Sequence, residues 1–260
     1  MDLESFNTSR ESLVPLLALN NKSNKNIIIF PTDKEAIEFS TDFSNLNKNI
    51  FHLPSWDTLS YDSFVPSFDI QGKRLEIAHL LLTNNNYNIA TSIKAISQRI
   101  YFEELEICKI ELNEEIDFDS LIENLIHLKY QRKDRVESKG SFAIRGGQLD
   151  VYPINYDLPL RVIFDGDLVN EIKTFDTISQ RSVSEKKDIL IVPATELFQI
   201  KHSDILNLSS NKKENLDDYE LFQYSQNLDL EKCLLDLTSN VALHIVDKNL
   251  VDNQLKEIID

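Results

Sequence analysis

The stretch from Gly140 to Asp176, GSFAIRGGQLDVYPINYDLPLRVIFDGDLVNEIKTFD, leaves this chain the least conformational freedom. Apolar residues alternate with polar ones at Phe142 and Ile144, at Leu149 and Val151, and at Val162 and Phe164. That is the period of a half-buried strand. Gly146-Gly147 separates the first two runs, and Asp165-Gly166 separates the third from Leu168-Val169. Both are tight-turn dipeptides, so Gly146, Gly147 and Gly166 are the expected turn residues of a small antiparallel meander. Arg145 stands beside the first turn and Arg161 at the start of the third strand. On the residues alone, solvent cover and a binding role are both open for these two arginines.

The first hundred residues read differently. Ile27 to Phe30 is a short continuous apolar run, and Pro31-Thr32-Asp33 can open a helix after it. Ile50 to Leu53 forms a second strand, stopped by Pro54, and Asn88 to Thr91 a third. Between them Ile70, Leu75, Ala78 and Leu82 predict a helix over Asp69 to Leu82. Alternating strands and helices imply a parallel sheet covered by helices. Further on, Ile107 to Leu112 is a strand and Asp119 to Tyr130 a helix, with Leu121, Ile122, Leu125 and Leu128 on one side. Ile189 to Val192 resumes the short apolar strand style, residues 203–218 are polar, Leu228 to Leu237 is helical and Val241 to Val246 strand-like. The expected fold is α/β: a parallel-sheet body with an inserted small α+β domain that contains the antiparallel meander. The domains are expected at residues 1–105, 106–187 and 188–260, the last completing or adjoining the body.

Composition narrows the chemistry. Forty-three acidic against 27 basic residues give a net charge of −16, which repels a phosphate backbone unless cations cluster. The best cluster, Lys129, Arg132, Lys133 and Arg135, is modest. A protein partner is therefore the better default than nucleic acid. No apolar run approaches the ~18 residues of a membrane span, and the N-terminus lacks the apolar core of a signal peptide. Two cysteines, Cys108 and Cys233, make neither a disulfide framework nor a metal spacing, so a cytoplasmic protein with free thiols is expected.

No phosphate-binding glycine loop exists: Gly72 is the single glycine of the first hundred residues. No GxSxG elbow is present either, and the five histidines are scattered. No cofactor, metal or catalytic residue is expected. One loop, Leu53 to Asp69, gathers Trp56, Tyr61 and Phe64 at the end of a strand, where ligands often sit. The plainer reading has these rings packing the loop onto the fold.

Three further motifs join the meander in resembling a known family. FHLPSWDTLSYD from Phe51 to Asp62, followed by Arg74-Leu75, resembles a run in the bacterial transcription-repair coupling factors. GSFAIRGGQLDVYP from Gly140 to Pro153, Thr174-Phe175-Asp176 with Gln180-Arg181-Ser182, and Pro193-Ala194-Thr195-Glu196 resemble three more, in the same order. The excision-repair subunit UvrB shares the pattern more weakly. The resemblance implies a non-catalytic, UvrB-like module: a helicase lobe that has lost ATP binding, interrupted by a domain that docks the damage-recognition protein UvrA.

On that resemblance the UvrA contacts fall on Arg145 and Arg161. The family commonly adds an aromatic residue four positions after the second arginine, where this chain has Asp165, with Phe164 one step before it. A one-step move crosses the sheet, so Phe164 is not an automatic substitute. Truncating either arginine is expected to weaken docking and spare thermal stability. RNA polymerase and DNA would be engaged only through regions outside this chain, which looks like a fragment or a truncated relative. The alternative readings are part of an ATP-dependent DNA translocase whose catalytic motifs lie elsewhere, and an autoinhibitory or structural domain contacting the rest of a longer protein.

Overall fold

The computed structural model describes residues 2–6, 24–45, 49–58, 64–102, 104–200, 222 and 232–259. Contacts divide the chain into two compact units. One comprises Met1–Asp57, Ile77–Ile100 and Asp229–Asp260, the other Thr58–Glu76 and Tyr101–Leu228. The architecture is mixed α/β, with an all-parallel sheet in the first unit and a mixed sheet in the second.

In the first unit, β1 (Asp2–Phe6), β2 (Lys25–Phe30), β3 (Phe51–Leu53), β4 (Tyr87–Ser92) and β13 (Ala242–Val246) form the order β1-β13-β2-β4-β3. The central strands are apolar runs because both faces of a parallel sheet are covered. Ile27 to Phe30 are accordingly all buried. Helix α1 (Asp33–Ser44) starts at Thr32, whose Oγ1 accepts from the Glu35 amide at 3.3 Å and donates to the Glu35 carboxylate at 3.1 Å. The first of these bonds satisfies one of the free donors of the first turn, and the second holds the capping hydroxyl in place. Ala36, Phe39 and Phe43 then bury one side of the helix.

The second unit is built on six strands: β6 (Gln131–Arg132), β7 (Ser141–Arg145), β8 (Gln148–Tyr152), β9 (Leu160–Asp165), β10 (Leu168–Phe175) and β11 (Ser182–Glu185). Their order is β11-β10-β9-β8-β7-β6, antiparallel except for the pair β6–β7. The expected meander is thus present, extended by one strand at each edge. Helix α4 (Phe118–His127) is capped by Asp117 and sinks Leu121, Ile122 and Leu125 against Phe142, Leu149, Val151, Leu160 and Val162. Each such fully buried side chain contributes about 1.5–3 kcal/mol. Burial in the same core pushes the Cys108 thiol up to about 12, so it is inert at neutral pH.

Two expectations are corrected here. The strand at Ile189 does not rejoin the parallel sheet. β12 (Asp188–Ile191) pairs antiparallel with β5 (Cys108–Glu111), placing Ile189 and Ile191 in the second unit's core. The strand that does return is β13, which inserts between β1 and β2. By the division above, the chain returns to the first unit at Asp229, beyond the boundary expected near residue 187. A short apolar run fits a buried strand of either sheet type, which is why periodicity misassigned this one. Of the helix expected over 228–237, only the end is described, and Leu234–Leu237 is a 3-10 turn. Residues 203–218 lie outside the described residues.

Helix α2 (Phe68–Thr83) begins in the second unit and ends in the first, by the residue division above. Its opening turns carry two of the motif residues. Arg74 Nε donates to Glu196 Oε1 at 2.9 Å, with side-chain exposures of only 1% and 5%. Gln71 Oε1 accepts from the Glu196 amide at 2.9 Å and the Thr195 hydroxyl at 3.0 Å. Gly72 sits where a Cβ would come within 2.5 Å of the Ile154 carbonyl oxygen. Only glycine allows that approach. α3 (Ile93–Ser97) and α5 (Lys248–Ile259) complete the helices of the described residues.

Candidate protein-interaction face

Register settles which way the two arginines point. Ala143 pairs with Asp150 and Asp150 with Arg161, while Arg145 pairs with Gln148 and Gln148 with Ile163. Paired residues share a face, as do residues two apart along a strand. Arg145 and Arg161 therefore lie on one face of the sheet, opposite the α4 core. Their neighbours on it include Asp150, Ile163, Asp165, Lys173 and Phe175.

The two are held very differently. Arg145 is exposed at the end of β7, and its guanidinium donates to the Asp134 carbonyl at 3.2 Å. Arg161 is 15% exposed and already paired: Nε donates to Asp150 Oδ1 at 2.7 Å and Nη2 to Oδ2 at 2.9 Å. Gln148 donates to both oxygens of the same carboxylate, at 3.0 and 3.1 Å. The Phe175 ring lies 4.4 Å beneath the guanidinium. The Asp150 hydrogen bonds, and secondarily its charge, hold the arginine above its ordinary range against the opposing effect of burial. Fork-to-fork pairing of this kind is the strongest a guanidinium makes. Arg161, a UvrA contact by the resemblance, is thus already engaged within the sheet.

Phe164 is corrected as well. It is 7% exposed, faces the core and meets Phe118 edge-on at 5.0 Å, so it forms no part of this surface. Asp165 is exposed on the arginine face, opposite Leu168 across the turn. Gly146 and Gly166 adopt φ of +60° and +61°, as the two hairpins require, and Gly147 passes 2.9 Å (Cβ position to oxygen) from the Phe164 carbonyl. Of the aromatic loop, Trp56 is buried and Phe64 exposed, while Tyr61 lies outside the described residues. Trp56 is not available to stack on a ligand.

What the sequence did not reveal is the polar network around Arg161. Arg161 also donates to Gln180, at 3.3 Å to its carbonyl and 3.4 Å to its side-chain oxygen. Gln180 holds a left-handed φ of 59° and donates back to the Thr177 carbonyl at 2.7 Å. Arg135 donates to the Thr177 and Ile178 carbonyls at 2.8 and 3.4 Å. The Ser179 amide and hydroxyl both donate to Asp176 Oδ1, holding that carboxyl below its usual range. Val136, Ala143 and Phe175, with Tyr152, form a small second core on this face. Asp150 was legible in principle, since the Gly-Gly turn fixes Ala143 opposite Asp150, but its pairing with β9 depends on a loop of seven residues.

Among the described residues no cluster of metal-ligating side chains is present. Residues 108–197 match the family model of the UvrB interaction domain. The chain is 31% identical over 159 residues to the transcription-repair-coupling factor of Myxococcus xanthus, covering 60% of this chain and 13% of that protein. With the Escherichia coli transcription-repair-coupling factor the identity is 29% over 174 residues, covering 65% of this chain and 15% of the relative. The UvrABC system protein B of Thermosipho africanus is 22% identical over 215 residues, covering 76% and 32%. The chain thus carries a domain matching the UvrB interaction family and is homologous to bacterial transcription-repair-coupling factors, of whose length it spans a small part. The matched domain is an interaction module, not a catalytic one.

Proposed function

We propose that the chain is the UvrA-docking part of a transcription-repair coupling factor, recruiting nucleotide excision repair to stalled RNA polymerase in the cytoplasm. The observation that carries this reading is Arg145, exposed on the sheet face of a domain matching the UvrB interaction family. Arginine suits the role because its planar fork can hold a partner carboxylate with two hydrogen bonds. The contact with polymerase and DNA, and any translocase activity, belong to parts of the protein outside this chain. Binding of the chain to purified UvrA, with duplex DNA and ATP as parallel ligands, tests it. Arg145→Ala should weaken the UvrA complex by about tenfold or more, the scale of a desolvated interfacial charge. Unchanged affinity with the fold intact would remove the assignment.

The first unit is proposed as a helicase-like lobe without nucleotide binding. At the C-terminal ends of its parallel strands, where such folds bind ligands, Asp33 accepts from the Ser92 hydroxyl at 2.7 Å and from the Ser55 hydroxyl. A carboxylate there repels phosphate, and Pro31-Thr32 offers no nest of amides in its place. Calorimetry with ATP and the intact chain should give no saturable heat at micromolar concentrations; a binding isotherm would refute this part.

A further inference from the structure

The loop Asp176–Arg181 carries the most exposed large apolar residue of the described chain, Ile178, at 87%. A single exposed isoleucine is ordinary on a mobile loop. This loop is not held as an ordinary one. Arg161 grips it at Gln180 from one side and Arg135 grips it at Thr177 and Ile178 from the other. Asp176 ties down its amides from within. Next to Arg135, the Asp134 carbonyl accepts from Arg145. The two arginines that the sequence singled out are thus joined by one string of hydrogen-bonded groups, and Ile178 stands at its crest.

We infer that Ile178 is the apolar anchor of the docking face, inserted into an apolar socket ringed by carboxylates on a protein partner. Charge gives the rim its sign: Arg181 is exposed in the loop, Arg135 holds it while also pairing with Glu137 at 3.7 Å, and Arg145 joins through Asp134, in a chain whose net charge is −16. An apolar side chain on a preorganised loop flanked by arginines matches the anatomy of an interface centre, where ordering costs have already been met. Nucleic acid would use the same cations and gain nothing from the isoleucine. Arg135 is then a positioning residue, acting through the carbonyls of Thr177 and Ile178.

This rests on the docking reading above, and the experiment separates the two. Affinity for purified UvrA is measured for the intact chain and for Ile178→Ser, Ile178→Leu, Arg135→Ala and Arg145→Ala, with circular dichroism confirming the fold. Ile178→Ser should weaken binding by about tenfold or more, and Ile178→Leu should retain it. Arg135→Ala should weaken binding in the native background and add little in the Ile178→Ser background, a coupling that general destabilisation would not produce. If Arg145→Ala weakens the complex but Ile178→Ser does not, the anchor is wrong and the docking face stands. If neither does, both fall. Retention of duplex DNA that depends on the arginines and not on Ile178 would overturn the inference in favour of phosphate recognition.

Discussion

Removing Arg161 would strand the Asp150 carboxylate, which is 5% exposed and would keep only its hydrogen bonds from Gln148. Arg161→Ala should therefore cost about 2–3 kcal/mol of stability in urea denaturation, the range for a hydrogen bond to a buried charge. Arg145→Ala should cost less than about 0.5 kcal/mol, since its guanidinium is exposed. The two arginines look equivalent in sequence because neither residue type nor turn spacing encodes a partner arriving from the next strand. Asp176 gives the pH signature of the same region. Hydrogen bonds from the Ser179 amide and then its hydroxyl depress its pKa, so the stability they contribute is complete above the unfolded value of about 3.9 and is lost as pH falls through the folded one. The loop should keep its order from neutral pH down to about pH 4, and an NMR titration should find this carboxyl protonating below the ordinary aspartate range. A midpoint at or above that range would show that the tie does not exist.

At the scale of elements, the hairpin β7–β8 concentrates what glycine can do. Gly146 is in the left-handed region with open space around it, whereas at Gly147 a Cβ would press on the Phe164 carbonyl oxygen, 2.9 Å away. Gly146→Val should thus destabilise through backbone strain alone, by about 1–2 kcal/mol. Gly147→Ala should act differently, pushing β9 away from the turn and disturbing the hydrogen bond from the Phe164 amide to the Gly147 carbonyl. Amide exchange at Phe164 distinguishes them: faster in Gly147→Ala, little changed locally in Gly146→Val. The hairpins were readable because turn chemistry and period-2 patterning are local and agree. β12 was not, because four apolar residues carry no mark of which distant strand they will pair with, and here the partner, β5, lies some eighty residues earlier.

For the whole molecule, the pair Arg74–Glu196 bridges the longest sequence separation among the described ion pairs and is buried at both ends. Arg74→Ala should destabilise the second unit by about 3–5 kcal/mol, the scale for removing one partner of a buried ion pair. Loss of less than about 1 kcal/mol in calorimetric unfolding would mean the carboxylate finds another partner. The Arg74-Leu75 and Pro193-to-Glu196 motifs, recognisable only as separate scraps of sequence, are here two halves of one contact. The likeness to a family found them, and the structure supplies the reason they travel together.

That contact bears on how such a module can be inherited. The family match is a continuous block, residues 108–197, of the kind that gene rearrangement could copy from one protein into another. Its folded counterpart is not continuous, because the block ends in a buried Glu196 whose counter-charge is encoded more than thirty residues before it begins. A graft of the block alone would arrive without the Arg74 partner of Glu196 and with Ile154 and Asn155 stripped of the helix turn that Gly72 brings against them. The two units are in this sense genetically interleaved. A lineage could alter the sheet face by point changes, but to acquire the second unit it would have to take the separate segment Thr58–Glu76 as well.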